Sequence, residues 1–169
     1  IAFIATNSQE EIMHPLLMNI ELKVLDNSQF IINQKQSTHV EHSTKLQHGK
    51  HKSLSASLYF MVPGLGHGLR INGTLNNKTT RIFKIEQVYF HCARAAARAE
   101  LWQSKTSSKI DQNNIIQHSP FVLLKTMNTE KKIELSPRGD EAGFVKIISR
   151  ESLLLPERPG NKIAVSLRN

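Results

Sequence analysis

Arg138, Arg158, Asn161 and Lys162 are the residues whose types and spacing carry the clearest chemistry in this chain, and that chemistry is the holding of an oxyanion. Guanidinium groups offer paired N–H donors that match phosphate oxygens, and an ammonium adds a point charge. Arg138 stands in Ser136-Pro137-Arg138-Gly139-Asp140, where Pro137 fixes its own backbone and Gly139 permits a positive φ. The string therefore reads as a rigid turn with no room for a regular element. Arg158 stands in a second turn, Pro156-Glu157-Arg158-Pro159-Gly160-Asn161. Beyond Gly160, Ile163, Ser166 and Leu167 fall on one side at helical spacing. A helix starting there presents free backbone N–H groups and a partial positive charge to the same anion. Taken singly, each of these residues reads as solvated surface, as Arg and Lys usually do. Their clustering around two turns and a helix start is what makes them a site.

The elements that must position these groups are short strands. Gly143–Ile148 and Ser152–Leu155 are too short for helices and rich in strand formers, so they read as a hairpin delivering both turns to one edge. Earlier in the chain, Ser57–Val62 reads as a buried strand, Leu69–Leu75 alternates apolar and polar residues, and Ile82–Phe90 reads as another strand. Pro63–Gly68 reads as a tight turn; its glycines precede a strand rather than a helix, which argues against a dinucleotide loop. Ser37–Gly49 reads as a crossing helix, and Cys92–Trp102 as an Ala-rich helix with Arg94 and Arg98 at i, i+4. Several antiparallel strands with one crossing helix describe a small barrel.

The chain also reads as a repeat. Phe3–Thr6, His14-Pro15 and Phe30–Asn33 have the layout of Phe121–Leu124, Ser136-Pro137 and Leu153–Pro156. The organisation expected is a first domain over residues 1–103, a polar linker over 104–119 and the first half of a second domain over 120–169. The start in a strand without Met and the end at Asn169 read as a piece of a longer protein.

In order and spacing, SPRGD, GFV, LLPERPGN and SLRN resemble the signature of the pyridoxamine 5'-phosphate oxidase-like, FMN-binding split-barrel family. VPGLGHGLRINGTL and VYFHCARAAARAELW are similar to later segments of the same family. The resemblance implies a mainly β fold with short helices: an antiparallel six-stranded split barrel, here followed by a truncated second copy. It implies FMN as cofactor and a small-molecule substrate. Arg158, Asn161 and Lys162, with Ser166 nearby, would hold the FMN phosphate, while Ser136, Pro137 and Arg138 would lie near ribityl or ring atoms. Leu69 and Arg70, from the other copy, would contact the ring. The first copy has His14–Met18 where the second has SPRGD, and Lys35–Val40 where the second has ERPGNK. Its cofactor motif is degenerate, so one flavin per chain is expected, with the two copies acting as a pseudo-dimer and a homodimer as a further option. The alternative within the same resemblance is a non-catalytic flavin- or haem-binding module.

Composition bounds these readings. The formal net charge of +8 favours anionic partners in general. The basic residues are scattered without a long run, which disfavours nucleic acid. Cys92 is the only cysteine, so no intrachain disulfide forms and a cytoplasmic setting is expected. No apolar window is long enough for a membrane helix. His39, His42, His48 and His51 have the composition of a metal cluster, yet they lack Cys or converging carboxylates and read as a solvated stretch. His91-Cys92 reads as a strand end, since neighbours in a strand point apart.

Overall fold

A computed structural model describes residues 2–7, 14–16, 20–34, 53–62, 64, 67–77, 80–103 and 115–158. The first seven elements are strands: β1 (Ala2–Thr6), β2 (His14–Leu16), β3 (Ile20–Asp26), β4 (Gln29–Gln34), β5 (Ser53–Met61), β6 (Gly68–Asn77) and β7 (Arg81–His91). They form one antiparallel sheet in the order β2-β1-β5-β6-β7-β4-β3. Six of them are longer strands, and the three-residue β2 pairs at one edge. Two short helices follow, α1 (Arg94–Arg98) and α2 (Ile115–His118), then the hairpin of β8 (Phe121–Met127) and β9 (Ile133–Gly139), and a second small hairpin of β10 (Lys146–Ile147) and β11 (Leu153–Leu154). The chain is mainly β with short helices, as its strand-forming runs predict.

Alternation decides which side chains meet. Ile4, Phe30, Ile32, Ala56, Leu58, Ile71, Leu75 and Phe83 make one buried cluster, within which the rings of Phe30 and Phe83 stack at 5.0 Å. β1 and β4 lie far apart in the strand order, so their joint presence in this cluster means that the sheet curls into a half-barrel. The curl is helped by a bulge where Asn72 faces Gln87 and Gly73 faces Ile85, leaving Glu86 as the extra residue on β7. A Cβ on Gly73 would stand 2.0 Å from the Lys84 carbonyl oxygen, so only glycine fits at this bend.

The opposite face of the sheet is also covered. Ala5, Tyr59 and Met61 bury against Ile133 and Leu135 of β9. β5 is thus covered on both faces, and its residues from Ala56 to Met61 are buried almost without interruption. α1 packs on the far end of β9 through small residues: Ala95, Ala96 and Ala99 are buried, and a Cβ on Gly139 would stand 2.1 Å from the Ala95 carbonyl oxygen.

Several expectations change here. Ser136-Pro137-Arg138-Gly139 is strand rather than turn, with Pro137 opposite Leu123 and Arg138 opposite Val122. Among the described residues β9 has only β8 as a ladder neighbour, and an edge strand tolerates a residue without an N–H. The Ala-rich helix is confined to Arg94–Arg98, after which the chain turns through Gln103. The hairpin before the second turn pairs only Lys146–Ile147 with Leu153–Leu154. α2 lies inside the stretch read as linker. The crossing helix expected at Ser37–Gly49 lies outside the described residues, as do His39, His42, His48 and His51. No helix of the described residues is long and apolar enough to cross a membrane.

Candidate functional site

Two ion pairs cross between the Ser136–Asp140 string and the loop that follows β11. Arg138 Nη1 donates to Glu157 Oε2 at 2.9 Å, and Arg158 Nε donates to Asp140 Oδ2 at 2.5 Å. The arginine of each string holds the carboxylate of the other, so both guanidinium groups stand at one edge. Burial tends to raise the Asp140 carboxyl, but the Arg158 hydrogen bond, the Glu141 N–H and the charges of Arg158 and Arg98 bring it below its ordinary value. Arg158 and Glu157 are more than half exposed, so an incoming anion meets Arg158 from solvent. Asn161, Lys162 and Ser166 lie outside the described residues.

Beneath this edge lies a buried polar layer between β9 and the sheet. Arg70 of β6 pairs through Nη1 with Glu134 of β9, and both side chains are almost wholly buried, at 2% and 1% exposure. The Arg70 guanidinium also lies 5.3 Å from the centre of the Tyr89 ring. Backbone donors of β9 reach the sheet through serines: Leu135 N–H donates to Ser57 Oγ at 3.0 Å, and Ile133 N–H to Ser55 Oγ at 3.1 Å. The Ser57 hydroxyl in turn donates to Asn72 Oδ1 at 2.7 Å, so both its hydrogen-bonding capacities are used.

Tyr59 and His91 complete this layer. Gly68 stands opposite both Met61 and His91, and the Tyr59 ring crosses the space its missing side chain leaves. Tyr59 meets His91 edge to face at 6.1 Å. Burial pushes the Tyr59 phenol up to about 12 against the opposing charge of Arg70, so the phenol stays protonated. Burial pushes His91 down to about 4, helped by the charges of Arg70, Arg138 and Arg98. Arg98 is held in place by donating from Nε to the Gly139 carbonyl at 3.2 Å.

A cleft of about 540 Å³ opens beside the same layer, between the β6–β7 bulge and the β8–β9 turn. Asn72, Glu86, Gln87, Tyr89, Lys132 and Glu134 are among the residues lining it. Lys132 reaches across to Glu86 at 3.6 Å. The turn itself is held by Asn128, whose side chain accepts from the Lys132 N–H, with Lys131 at φ 60.

The structure brings Arg138 and Arg158 to one edge, while Ser136 and Pro137 are buried within β9 and Arg70 lies in the layer below. Leu69 stands apart, packed against the apolar cluster on the other face, because adjacent strand residues point in opposite directions. Sequence reasoning missed Glu134, Ser57 and the place of His91. Glu134 carries a signal in hindsight, as the one carboxylate inside the strand-like Ile133–Leu135 run, but its partner is distant in sequence. No protein-family model, no curated protein and no solved structure matches the chain.

Proposed function

We propose that this chain binds FMN non-covalently and serves as an FMN-dependent oxidoreductase of the pyridoxamine 5'-phosphate oxidase-like type, acting on a small substrate. The observation that carries this reading is the crossed pair Arg138–Glu157 and Arg158–Asp140, which ties the SPRGD and PERP strings into one edge. Two guanidinium groups held side by side fit a phosphate dianion, which accepts paired N–H donors. Glu157 and Asp140 keep the guanidiniums aligned until a phosphate takes their place. Bound FMN would supply the electron transfer, and the protein would orient it and set the charge around it.

The pairing of hairpins supports the tandem part of the reading. Pro15 of β2 stands opposite Phe3 of β1, as Pro137 of β9 stands opposite Leu123 of β8. In both regions a proline-bearing hairpin precedes a second hairpin, β3–β4 in one and β10–β11 in the other. One FMN per chain is expected, since only the later copy keeps both arginine strings.

The test is a titration of the flavin-free protein with FMN and with riboflavin, followed by absorbance and flavin fluorescence. A saturable flavin spectrum with one site per chain, and about tenfold weaker FMN binding in Arg158→Gln with riboflavin unaffected, is the expected result. No binding of either flavin, or two equivalent sites, overturns it. Reduction and reoxidation with a substrate separates the enzyme from a non-catalytic module.

A further inference from the structure

His91 is used by none of the chemistry assigned so far. Both ring nitrogens of His91 and Nε of Arg70 are buried and have no hydrogen-bond partner among the described residues. Leaving such groups unmet is costly, more so when they are charged. Tyr59 of β5 meets the ring edge to face, and Arg70 of β6 stands opposite Tyr59 and beside Tyr89, while the charges of Arg138 of β9 and Arg98 of α1 also act on the ring. Carboxylates are near, and each is engaged by an arginine. Glu134 takes Nη1 of Arg70, Glu157 takes Nη1 of Arg138, and Asp140 takes Arg158. The charges that act on His91 are those of Arg70, Arg138 and Arg98, and all three are positive.

We propose that the corner formed by Tyr59, His91 and Arg70, within the field of Arg98 and Arg138, is a binding site for a small oxyanion, with His91 as one of its hydrogen-bond donors. A carboxylate, sulfate or phosphate group carries acceptors on every side, which is what unmet N–H donors and a positive field select. The imidazole is neutral in the anion-free protein. An oxyanion there favours the protonated ring, so the anion and a proton enter together. This does not rest on flavin binding, because the oxyanion alone is enough.

The experiment is a histidine-resolved NMR pH titration of the flavin-free protein, with His91→Gln identifying the signal among the eight histidines. Sulfate is the probe, because it keeps its charge across the range, and chloride at equal ionic strength is the control. Sulfate is expected to raise the His91 midpoint saturably by about one pH unit, a tenfold change in proton affinity. Arg98→Gln is expected to weaken the sulfate dependence about tenfold, with Arg98→Lys retaining most of it. If sulfate and chloride give the same His91 curve in the wild type, the proposal is wrong. It is also wrong if Arg98→Gln, folded by its amide spectrum, responds to sulfate as the wild type does. FMN distinguishes the sources: a shift by FMN that excludes sulfate assigns the site to the flavin phosphate, and a sulfate response in FMN-saturated protein assigns it to a second molecule. A sulfate response in protein that binds no FMN leaves this site standing while the flavin reading falls.

Discussion

The hairpins β1–β2 and β8–β9 have the same layout but different neighbours. β1 is paired on both sides, with β2 and with β5, so its backbone groups are satisfied by ladder bonds. Among the described residues β9 is paired on one side only, and it meets the sheet through Ser55, Ser57 and the Arg70–Glu134 pair. A ladder accepts almost any side chain, because the backbone makes the bonds. A docked strand depends on particular side chains, and so its position can be broken residue by residue.

The largest effect is expected from separating the buried ion pair. Glu134→Ala leaves Arg70 charged and buried, with a loss of about 3–5 kcal/mol in urea denaturation, whereas Arg70→Met with Glu134→Leu together recover most of it. Equal losses in the single and double variants would show that the pair does not fix the docking of β9. Gly139→Ala is next. Its Cβ meets the Ala95 carbonyl oxygen, so α1 and β9 must part, at a cost of about 1–3 kcal/mol or more. Amide exchange should quicken in β9 and not in β1.

Ser57→Ala removes the acceptor of the Leu135 N–H and the donor to Asn72. A loss of about 1–3 kcal/mol is expected, with a smaller one for Ser55→Ala, whose bond is only partly buried. An unchanged Leu135 amide exchange rate would refute the role given to this hydroxyl. pH gives a separate handle. His91 takes up its proton at about 4 in the fold and near 6.5 when unfolded, so the unfolded chain binds the extra proton between those values. Stability should therefore fall as pH drops from about 6.5 towards about 4, and His91→Gln should flatten that part of the profile. The smallest effect belongs to the exposed edge: Glu157→Gln should change stability by about 0–1 kcal/mol.

Much of the sheet was legible in the residues. The strands expected at Ser57–Val62, Leu69–Leu75 and Ile82–Phe90 fall within or largely within β5, β6 and β7, because alternation and β-branched or aromatic residues report directly on a half-buried strand. The Ser136–Asp140 string was misread for a physical reason. Pro and Gly also mark turns, and only the edge position of β9 lets them stand in a strand. Arg138 and Arg158 were legible as a cluster, but their crossed carboxylate partners were not.

By itself the sequence determined a mainly β chain, two basic strings near its end and a helix-forming Ala run. These follow from side-chain shape, backbone freedom and charge, which are local. The tertiary structure alone decided that Arg70 is buried rather than exposed, that Glu134 is its partner and that His91 packs edge to face on Tyr59. The first two depend on β9 lying across the sheet, and contacts between segments so far apart in the chain follow from packing and desolvation, which no local pattern encodes.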